Sequence, residues 1–449
     1  MKFGGTSVAT PEARAASCAR VIAAKEQGFN PVVVVSAIGR RGAPYATDTL
    51  LSMLRDIDPN VPPEPREIDL LISCGEILSS VIFAHTLKIM GVAAQAFRGG
   101  QAGIYTDGTY GNARITRVNP EMMQRSLEQG YIPVISGFQG IHVLRDPVQG
   151  RALPGGELTT LGRGGSDTTA AAVGAALNAE AVEIYTDVDG VKTADPDYVK
   201  NAPTLRTVTY DEVAEIAHLG AKVLHPRAAE IAMQYGIPLW VKSTFSEDPG
   251  TEIVGKDAFP GRRVTGVTHT GKLVYLQFDL SCASEADRTS LETRIYELMS
   301  RNHLNLHLPN LSPESTGFAV PKDQFEVVKN LLDGLVIPVP GGKMTYLLQI
   351  GRDASKEVET QAELLDPIGP VSRIVAEVNE GCTMVSLVGH EYMQQPGVFL
   401  SALKELSDAQ VRVLQTTDSD YSLSLLVPEA DTRKAVAVLH DKFGLAQAI

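Results

Sequence analysis

The stretch 161–169 reads Leu-Gly-Arg-Gly-Gly-Ser-Asp-Thr-Thr and runs directly into the apolar, Ala-rich segment 170–177. That segment is a good helix former, and Ser166 and Asp167 stand where a helix N-cap is expected. The glycines therefore predict a turn that opens onto a helix N-terminus, where free backbone N–H groups favour an anion. Arg163 adds a planar cation that can hold a carboxylate with two hydrogen bonds. A plain Gly-rich loop that closes a βα unit is the alternative, but the interleaved charged and hydroxyl residues favour a binding site.

Short apolar runs alternate with helical patterns on both sides of this stretch. Such alternation indicates an α/β fold, in which helices cover both faces of a mostly parallel sheet. Ligands of such sheets bind at the carboxyl ends of the strands, which is where the polar residues of these runs fall. The predicted strands lie within 31–37, 92–97, 132–140, 181–191 and 237–241, and the predicted helices span 11–27, 77–90, 210–218 and 227–235.

The first seven residues, Met-Lys-Phe-Gly-Gly-Thr-Ser, form a second glycine motif ahead of a predicted helix. A lysine beside paired glycines and hydroxyl groups is typical of phosphate binding, because backbone N–H groups cradle the oxygens and the ammonium neutralises their charge. The motif differs from the Walker pattern, in which the lysine follows the glycines. A flexible N-terminal tail is the alternative interpretation.

The C-terminal half shows an internal duplication. The order βαββα is predicted twice, which indicates two small ferredoxin-like modules in tandem. The last copy lacks an obvious closing strand, which the segment 264–268 would supply. The stretch 351–380 is predicted only as an insertion or a longer linker. The resulting segments are a first domain over 1–245, a Gly-, Pro- and charge-rich linker over 246–263, and modules over 264–345 and 346–449.

Length, charge and cysteine usage narrow the class of protein. A chain of 449 residues is long enough for two or three domains. Its net charge of −13 argues against nucleic acid or an anionic membrane as the main partner. The four cysteines lie far apart and match no zinc spacing, which favours reduced thiols over disulfides. No apolar run approaches about 20 residues and no signal-peptide pattern opens the chain, so we expect a cytoplasmic protein without a membrane partner.

Together the motifs resemble those of the aspartate kinases, and the paired C-terminal modules resemble the ACT domains of that family. The resemblance spans nearly the whole chain, whereas shorter members of the amino acid kinase superfamily lack this set. It implies an amino acid kinase-like αβα sandwich followed by two βαββαβ modules. It also implies ATP-dependent phosphorylation of the β-carboxylate of L-aspartate, the first step of lysine, threonine and methionine biosynthesis. The motifs are Lys-Phe-Gly-Gly-Thr-Ser at 2–7, Ser-Cys-Gly-Glu at 73–76, Leu-Gly-Arg-Gly-Gly-Ser-Asp at 161–167, Thr-Asp-Val-Asp-Gly-Val at 186–191 and Gly-Ala-Lys-Val-Leu-His-Pro at 220–226.

The resemblance also implies roles for individual residues. Glu76 would take the α-ammonium of aspartate, Arg163 would take its α-carboxylate, and Asp167 would orient Lys2 toward the γ-phosphoryl group. The acceptor carboxylate is already an anion at pH 7, so positioning and cationic stabilisation, rather than a general base, would carry the rate. The implied ATP contacts, with Mg²⁺ bridging the phosphates, are Lys2, Phe3, Gly4, Gly5, Ser7, Thr186, Asp187, Lys192, Asp197 and Lys222. The implied aspartate pocket is Ala37, Thr47, Glu76, Phe138, Arg163 and Ser166.

Three features depart from the family pattern. The family has a short apolar strand before the Lys-Phe-Gly-Gly motif, whereas only Met1 precedes it here. We expect a start upstream rather than an empty central strand, which would cost core burial. Lys192 stands where the family usually has an aromatic or apolar residue, and Asp197 stands where it usually has arginine. Asp197 removes a cation near the nucleotide, and Lys192 would partly replace it.

For regulation, the resemblance implies a feedback effector bound between paired ACT modules of a homodimer or higher homo-oligomer. A solvated turn is the alternative at each candidate position. Lysine, threonine, diaminopimelate or no effector at all remain open. The candidate positions are the loop 281–287 with Asp287, the strand end at Asn310, and the stretches 394–398 and 415–418, the latter with Gln415.

Two other functions remain as alternatives. One is a kinase of the same fold that acts on another carboxylate, and the other is a catalytically impaired, amino-acid-sensing regulatory subunit. The pairing of Arg163 with Glu76, together with the ACT modules, favours an aspartate kinase over the first. Retention of Lys2, Asp167 and Lys222 weighs against the second.

Overall fold

The computed structural model separates the chain into two compact units. The first unit holds residues 1–196, 200–266 and the C-terminal residues from 445, and the second holds residues 197–199 and 267–444. The structure describes residues 1–59, 61–146, 149–153, 155–221, 223–256, 264–339, 344–367, 369–389 and 397–447.

An eight-stranded, mostly parallel sheet forms the centre of the first unit. Its strands are, from edge to edge, β10 (Thr207–Thr209), β12 (Thr251–Val254), β11 (Leu239–Ser243), β9 (Val182–Thr186), β1 (Lys2–Phe3), β2 (Val33–Val35), β6 (Ile132–Ser136) and β3 (Ala94–Phe97). Of the pairs, only β11 with β12 is antiparallel within the described residues. The helices are α1 (Pro11–Glu26), α2 (Thr47–Arg55), α3 (Pro65–Ile72), α4 (Cys74–Ile89), α5 (Glu121–Glu128), α6 (Gly165–Leu177), α7 (Tyr210–His218) and α8 (Pro226–Tyr235).

The central strands are buried on both faces, which explains their continuous apolar runs. Val33 and Val35 of β2 pack in one cluster with Phe83 and Leu87 of α4, and α1 contributes Val21 to the same cluster. On the other face, α6 packs against β1, β2 and β9. The predicted α/β sandwich is therefore confirmed.

A second, four-stranded sheet was not predicted from the sequence. Its central strand pair, β4 and β7, is parallel, and a threonine pair joins β4 to β8, with Thr106 Oγ1 2.7 Å from Thr159 Oγ1. Its strand order is β5 (Ile115–Val118), β4 (Ile104–Thr106), β7 (Gln139–His142) and β8 (Glu157–Thr160). The last of these strands leads into the glycine turn that opens α6.

One helical stretch is an exception to the expectation that no segment approaches membrane-spanning length. Pro65–Ile89 is long and apolar enough by composition, with a mean hydropathy of 1.7. Half of this window is buried within the protein, and the core helix of a soluble protein passes the same test. The stretch is weak evidence for a membrane span.

A cavity of about 750 Å³ adjoins the amino-terminal end of β1. Its lining includes Met1, residues 30–32 ahead of β2, and residues 179–181 ahead of β9. The N-terminal ammonium donates a hydrogen bond to the Val32 carbonyl at 2.8 Å. Because this group is buried, its pKa is lowered to about 6.

The second unit contains the predicted duplication. The order βαββα occurs once as β13–α9–β14–β15–α10 and again as β18–α12–β19–β20–α13, as the sequence predicted. Its elements are β13 (Gly266–Asp279), α9 (Glu285–Arg301), β14 (His307–Leu311), β15 (Ser315–Pro321), α10 (Lys322–Leu332), β16 (Val336–Pro338), β17 (Thr345–Ile350), α11 (Lys356–Leu365), β18 (Val371–Val388), α12 (Val398–Asp408), β19 (Gln415–Asp418), β20 (Ser422–Pro428) and α13 (Thr432–Lys442).

Two long strands, β13 and β18, lie side by side and join both repeats into one sheet. The first part of β18 pairs in parallel with β17, and its last part, from Cys382, pairs antiparallel with β20. The stretch 351–380, predicted only as an insertion or a linker, thus forms α11 and the first half of β18. β13 begins at Gly266 and borders β18, the position that a closing strand for the second repeat would take.

Candidate active site

The two-residue strand β1 delivers Lys2 and the paired glycines to the carboxyl end of the central sheet. Gly4 donates its N–H to the Tyr185 carbonyl at 3.2 Å, and Gly39 donates to the Gly5 carbonyl at 3.0 Å. A Cβ at Gly5 would lie 2.5 Å from the Gly39 carbonyl oxygen. The close approach of these backbones therefore requires glycine at position 5.

Lys2 and Asp167 form an ion pair, with Nζ 2.8 Å from Oδ1 and both side chains 12% exposed. Asp167 lies in the first turn of α6, where the helix dipole favours a carboxylate. Its Oδ2 also accepts a hydrogen bond from the backbone N–H of His225 at 3.3 Å. The pair thus joins the N-terminal motif, the glycine turn and the loop before α8.

The glycine turn opens α6 as predicted, but with a different cap. Gly164 is the N-cap residue, in the left-handed conformation at φ +69°, and no side chain caps the helix. Ser166 and Asp167, predicted as N-cap residues, instead lie inside the first turn. The prediction was wrong because the turn needs two positive-φ positions, Gly162 and Gly164, immediately before the helix.

Replacing Gly164 by alanine is expected to destabilise the protein by roughly 2–4 kcal/mol. The left-handed backbone disfavours a Cβ, which would also lie 2.2 Å from the His225 ring. Gly130 is a matched control, since it has φ +82° but no atom within 4 Å of a Cβ built there. Urea unfolding of both alanine variants measures the difference, and equal losses of stability would contradict a steric role for His225.

Glu76 near the start of α4 is a buried carboxyl group with an unused oxygen. It is 3% exposed, and Oε1 accepts a hydrogen bond from the Ala37 N–H at 3.0 Å. Oε2 is buried without a hydrogen-bond partner in the described part of the chain. Burial raises the pKa of Glu76 to about 8. Such a group is suited to receive a cationic ligand.

The remaining predicted aspartate-pocket residues lie on neighbouring segments. Arg163 is exposed on the glycine turn, and its guanidinium has no partner among the residues described. Ser166 is buried beside Gly137, where a Cβ would lie 2.8 Å from Ser166 Oγ. Phe138 has φ +69°, and its N–H donates to Thr169 Oγ1 at 3.1 Å. Thr47 is half-buried at the first position of α2.

The predicted ATP contacts after β9 lie on several segments of the chain. Thr186 and Asp187 lie at the carboxyl end of β9, and the Asp187 carboxylate accepts a hydrogen bond from Arg40 at 2.6 Å. Lys192 instead donates to Thr204 Oγ1 at 2.7 Å. Asp197 belongs to the short segment that groups with the second unit.

Ser7 and Lys222 are two further predicted ATP contacts. The Ser7 side chain is fully buried, and its Oγ accepts a hydrogen bond from Thr244 at 2.8 Å. Lys222 lies outside the described residues.

Several residues that shape this site were not predicted from the sequence. Arg40, in the loop after β2, reaches Asp187, and Thr169 holds the backbone of Phe138. Asp69 is fully buried on α3 and accepts hydrogen bonds from Thr160. A signal for Asp69 was available, because it is an acidic residue inside the otherwise apolar run Ile-Asp-Leu-Leu-Ile.

Each predicted regulatory residue lies at the end or edge of an element in the second unit. Asp287, in the first turn of α9, accepts a hydrogen bond from the Tyr346 hydroxyl at 3.0 Å. Asn310 lies on β14, and Gln415 opens β19 opposite Leu426. Residues 394–396 of the candidate stretch 394–398 lie outside the described residues.

Comparison with known proteins matches both parts of the chain to known families. Residues 1–243 match the amino acid kinase family, and residues 377–441 match an ACT domain. Two E. coli aspartokinase III structures have the same fold. The complex with aspartate and ADP (R-state) has a TM-score of 0.70 at 24% identity, and the complex with lysine and aspartate (T-state) has a TM-score of 0.68 at 22% identity. Each comparison covers 98% of both chains.

Similar sequences extend along the whole chain. Aspartokinase 1 of Bacillus subtilis (strain 168) is 37% identical over 453 residues, which cover 99% of this chain and 98% of the relative. The aspartokinase of Mycolicibacterium smegmatis is 34% identical over 452 residues, which cover 99% of this chain and 95% of the relative. The chain therefore belongs to the aspartokinase family, whose members use ATP to phosphorylate the β-carboxylate of L-aspartate.

Proposed function

We propose that ATP and L-aspartate meet at the carboxyl ends of β1, β2 and β9, with Lys2 neutralising the charge of the transferring phosphoryl group. Asp167 holds the Lys2 ammonium at 2.8 Å and so fixes its position before substrate binds. The attacking β-carboxylate of aspartate is an anion at neutral pH. No proton has to be removed from it, so the site needs positioning and positive charge more than a base.

The two anchors of the amino acid are Glu76 for the α-ammonium and Arg163 for the α-carboxylate. The observation that carries this assignment is the unpartnered Oε2 of Glu76. A buried acceptor without a partner is costly, and an ammonium group would satisfy it. Arg163 has the planar donors that match a carboxylate, and it is not engaged by another described side chain.

For the nucleotide, we propose contacts from Phe3, Gly4, Gly5, Thr186 and Asp187. Ser7, Lys192, Asp197 and Lys222 belong to the same proposal. An E. coli relative of the same fold binds aspartate and ADP. Mg²⁺ would supply further neutralisation of the phosphate charge beside Lys2. The described residues contain no cluster of three metal-ligating side chains.

We further propose the division into a catalytic domain over 1–245, a linker over 246–263 and two ACT modules over 264–345 and 346–449. Feedback by lysine, threonine or diaminopimelate would act at Asp287, Asn310 and Gln415 in a homodimer or higher homo-oligomer. An E. coli relative of the same fold binds lysine. A cytoplasmic enzyme of amino-acid biosynthesis is the corresponding cellular role.

The substrate assignment is tested with MgATP, hydroxylamine to trap the acyl phosphate, and either L-aspartate, L-glutamate or succinate as acceptor. We expect product with aspartate and little with succinate, which lacks the α-ammonium that Glu76 would bind. Equal turnover of succinate and aspartate would overturn the assignment of Glu76. Adding lysine, threonine and diaminopimelate separately to the same assay tests the effector.

Replacing Arg163 by alanine is expected to raise the KM for aspartate by roughly 10–150-fold, since a charge-assisted hydrogen bond to a carboxylate contributes about 1.5–3 kcal/mol. The KM for ATP should stay within about threefold of the wild-type value, because the substitution leaves the proposed nucleotide contacts unchanged. Arg55→Ala, which removes an exposed arginine from the last turn of α2, is the control. An unchanged KM for aspartate in Arg163→Ala would rule out this anchor.

A further inference from the structure

Asp69 on α3 is a buried carboxylate with an unusually complete set of donors. It is fully buried, and Thr160 donates from both Oγ1 and its backbone N–H at 2.7 Å. The Gly111 N–H donates to both carboxylate oxygens, at 3.0 and 2.9 Å. No cation among the described residues forms an ion pair with Asp69. The Asp69 carboxyl group is therefore held by hydrogen bonds from two other segments.

These hydrogen bonds join the two segments that carry the amino-acid anchors. α3 continues through Ser73 directly into α4, which carries Glu76 in its first turn. Thr160 is the last residue of β8, three positions before Arg163 on the glycine turn. Asp69 thus links the segment that carries Glu76 to the segment that carries Arg163.

The glycine turn is held on its other side as well. Arg227 donates to the Leu161 carbonyl at 3.2 Å and to Asn112 Oδ1 at 2.7 Å. The neighbouring Gly111 carbonyl lies 3.0 Å from where a Cβ at Gly162 would be. Because the loop that Asp69 binds also contacts the turn, the turn can shift only by breaking several of these contacts.

We propose that Asp69 is a positioning residue that sets the separation between Glu76 and Arg163, and with it the preference for aspartate over the longer glutamate. The proposal rests on the roles proposed above for those two anchors. An amino acid gripped at both its ammonium and its α-carboxylate presents its side-chain carboxylate at a defined distance from the phosphoryl donor. A displacement of about 1 Å in such a geometry can cost roughly 100-fold in rate.

The test compares Asp69→Asn with the wild type in the hydroxylamine assay. Asparagine has the same shape but replaces one acceptor oxygen with an amide N–H₂, which faces the donors of Thr160 or Gly111. We expect the KM for aspartate to rise roughly 10–100-fold and the aspartate-to-glutamate ratio of kcat/KM to fall about tenfold. The KM for ATP should stay within about threefold of the wild-type value.

Asp107→Asn is the matched control. Asp107 accepts N–H hydrogen bonds from Thr109 and Arg114 within the same loop region, but no described contact links it to β8 or α3. We expect its KM for aspartate and its substrate preference to match the wild type. If the KM for aspartate and the substrate preference change comparably in both variants, general loop disorder, rather than the hydrogen bonds of Asp69, sets the preference for aspartate.

A purely structural role for Asp69 predicts a different pattern. In that case Asp69→Asn would lower Tm and the fraction of active enzyme but leave the KM for aspartate and the aspartate-to-glutamate ratio of kcat/KM unchanged. That result would overturn the proposal. If Asp69→Asn does not fold, Thr160→Val removes only the hydroxyl donor and should change both quantities in the same direction by a smaller factor. A folded Thr160→Val enzyme with wild-type values would also overturn it. If the roles proposed for Glu76 and Arg163 are themselves wrong, Arg163→Ala will leave the KM for aspartate unchanged, which distinguishes that outcome from a wrong role for Asp69.

Discussion

Replacing Lys2 by methionine is expected to lower kcat by roughly 1000-fold, because charge-stabilising donors at a reacting centre contribute on this scale. Lys2 is the cation at the carboxyl end of the central strand, and its ammonium is nearly buried. Methionine keeps most of the side-chain volume while removing the charge. The KM for aspartate should change little, since neither Glu76 nor Arg163 is altered.

The same substitution leaves the Asp167 carboxylate without its cation, which would destabilise the protein. A buried ion pair that loses one partner typically costs about 3–5 kcal/mol. The double variant Lys2→Met/Asp167→Asn removes both charges and should recover most of the lost Tm. We expect it to remain as inactive as Lys2→Met. Recovery of activity together with stability would show that Lys2 acts only by supporting the fold.

The sequence predicted the sandwich well because its signals are local. The apolar run before Ser36 and the Ala-rich run after Asp167 each specify a buried element without reference to the rest of the chain. The meeting of Lys2 with Asp167, which are 165 positions apart, was anticipated only through the family resemblance. Periodicity says which element a residue occupies, but not which distant side chain it touches.

The features that were missed depend on non-local contacts. The strands β4, β5, β7 and β8 are short and partly exposed, so neither alternation nor a long apolar run marked them. The length of β18 was hidden because two different partners, β17 and β20, pair with its two halves. The cap at Gly164 was misassigned because the sequence does not reveal which glycines have positive φ. The hydrogen bond from Lys192 to Thr204 was also not predicted from the sequence.

Replacing Glu76 by glutamine is expected to raise the KM for aspartate most strongly at high pH. With its pKa raised to about 8 by burial, Glu76 is mainly protonated at pH 6 in the free enzyme and mainly ionised at pH 9. Only the ionised form offers a charge to the α-ammonium of aspartate. The wild-type kcat/KM for aspartate should therefore rise about tenfold per pH unit below this pKa and level off above it.

The glutamine variant should lack this rise, because its amide does not titrate. Its kcat/KM should approach the wild-type value near pH 6 and fall roughly 100-fold below it near pH 9. Glu128→Gln, which neutralises an exposed carboxylate on α5, should follow the wild-type profile. Parallel pH profiles for wild type and Glu76→Gln would exclude Glu76 as the ammonium anchor.

The pH dependence of the free energy of unfolding, measured without aspartate, independently tests the effect of burial on Glu76. The pKa of Glu76 is higher in the folded than in the unfolded protein, so the folded state binds more protons between about pH 4.5 and 8. The contribution of Glu76 to the free energy of unfolding is therefore present below about pH 4.5 and is lost as pH rises toward 8. Since each pKa unit corresponds to about 1.4 kcal/mol, Glu76→Gln should become more stable than wild type by a few kcal/mol between pH 6 and 9. Saturating aspartate should reduce this advantage, because its ammonium compensates the buried carboxylate only in the wild type. If saturating aspartate leaves the stability difference between Glu76→Gln and wild type unchanged, the α-ammonium of the substrate does not bind at Glu76.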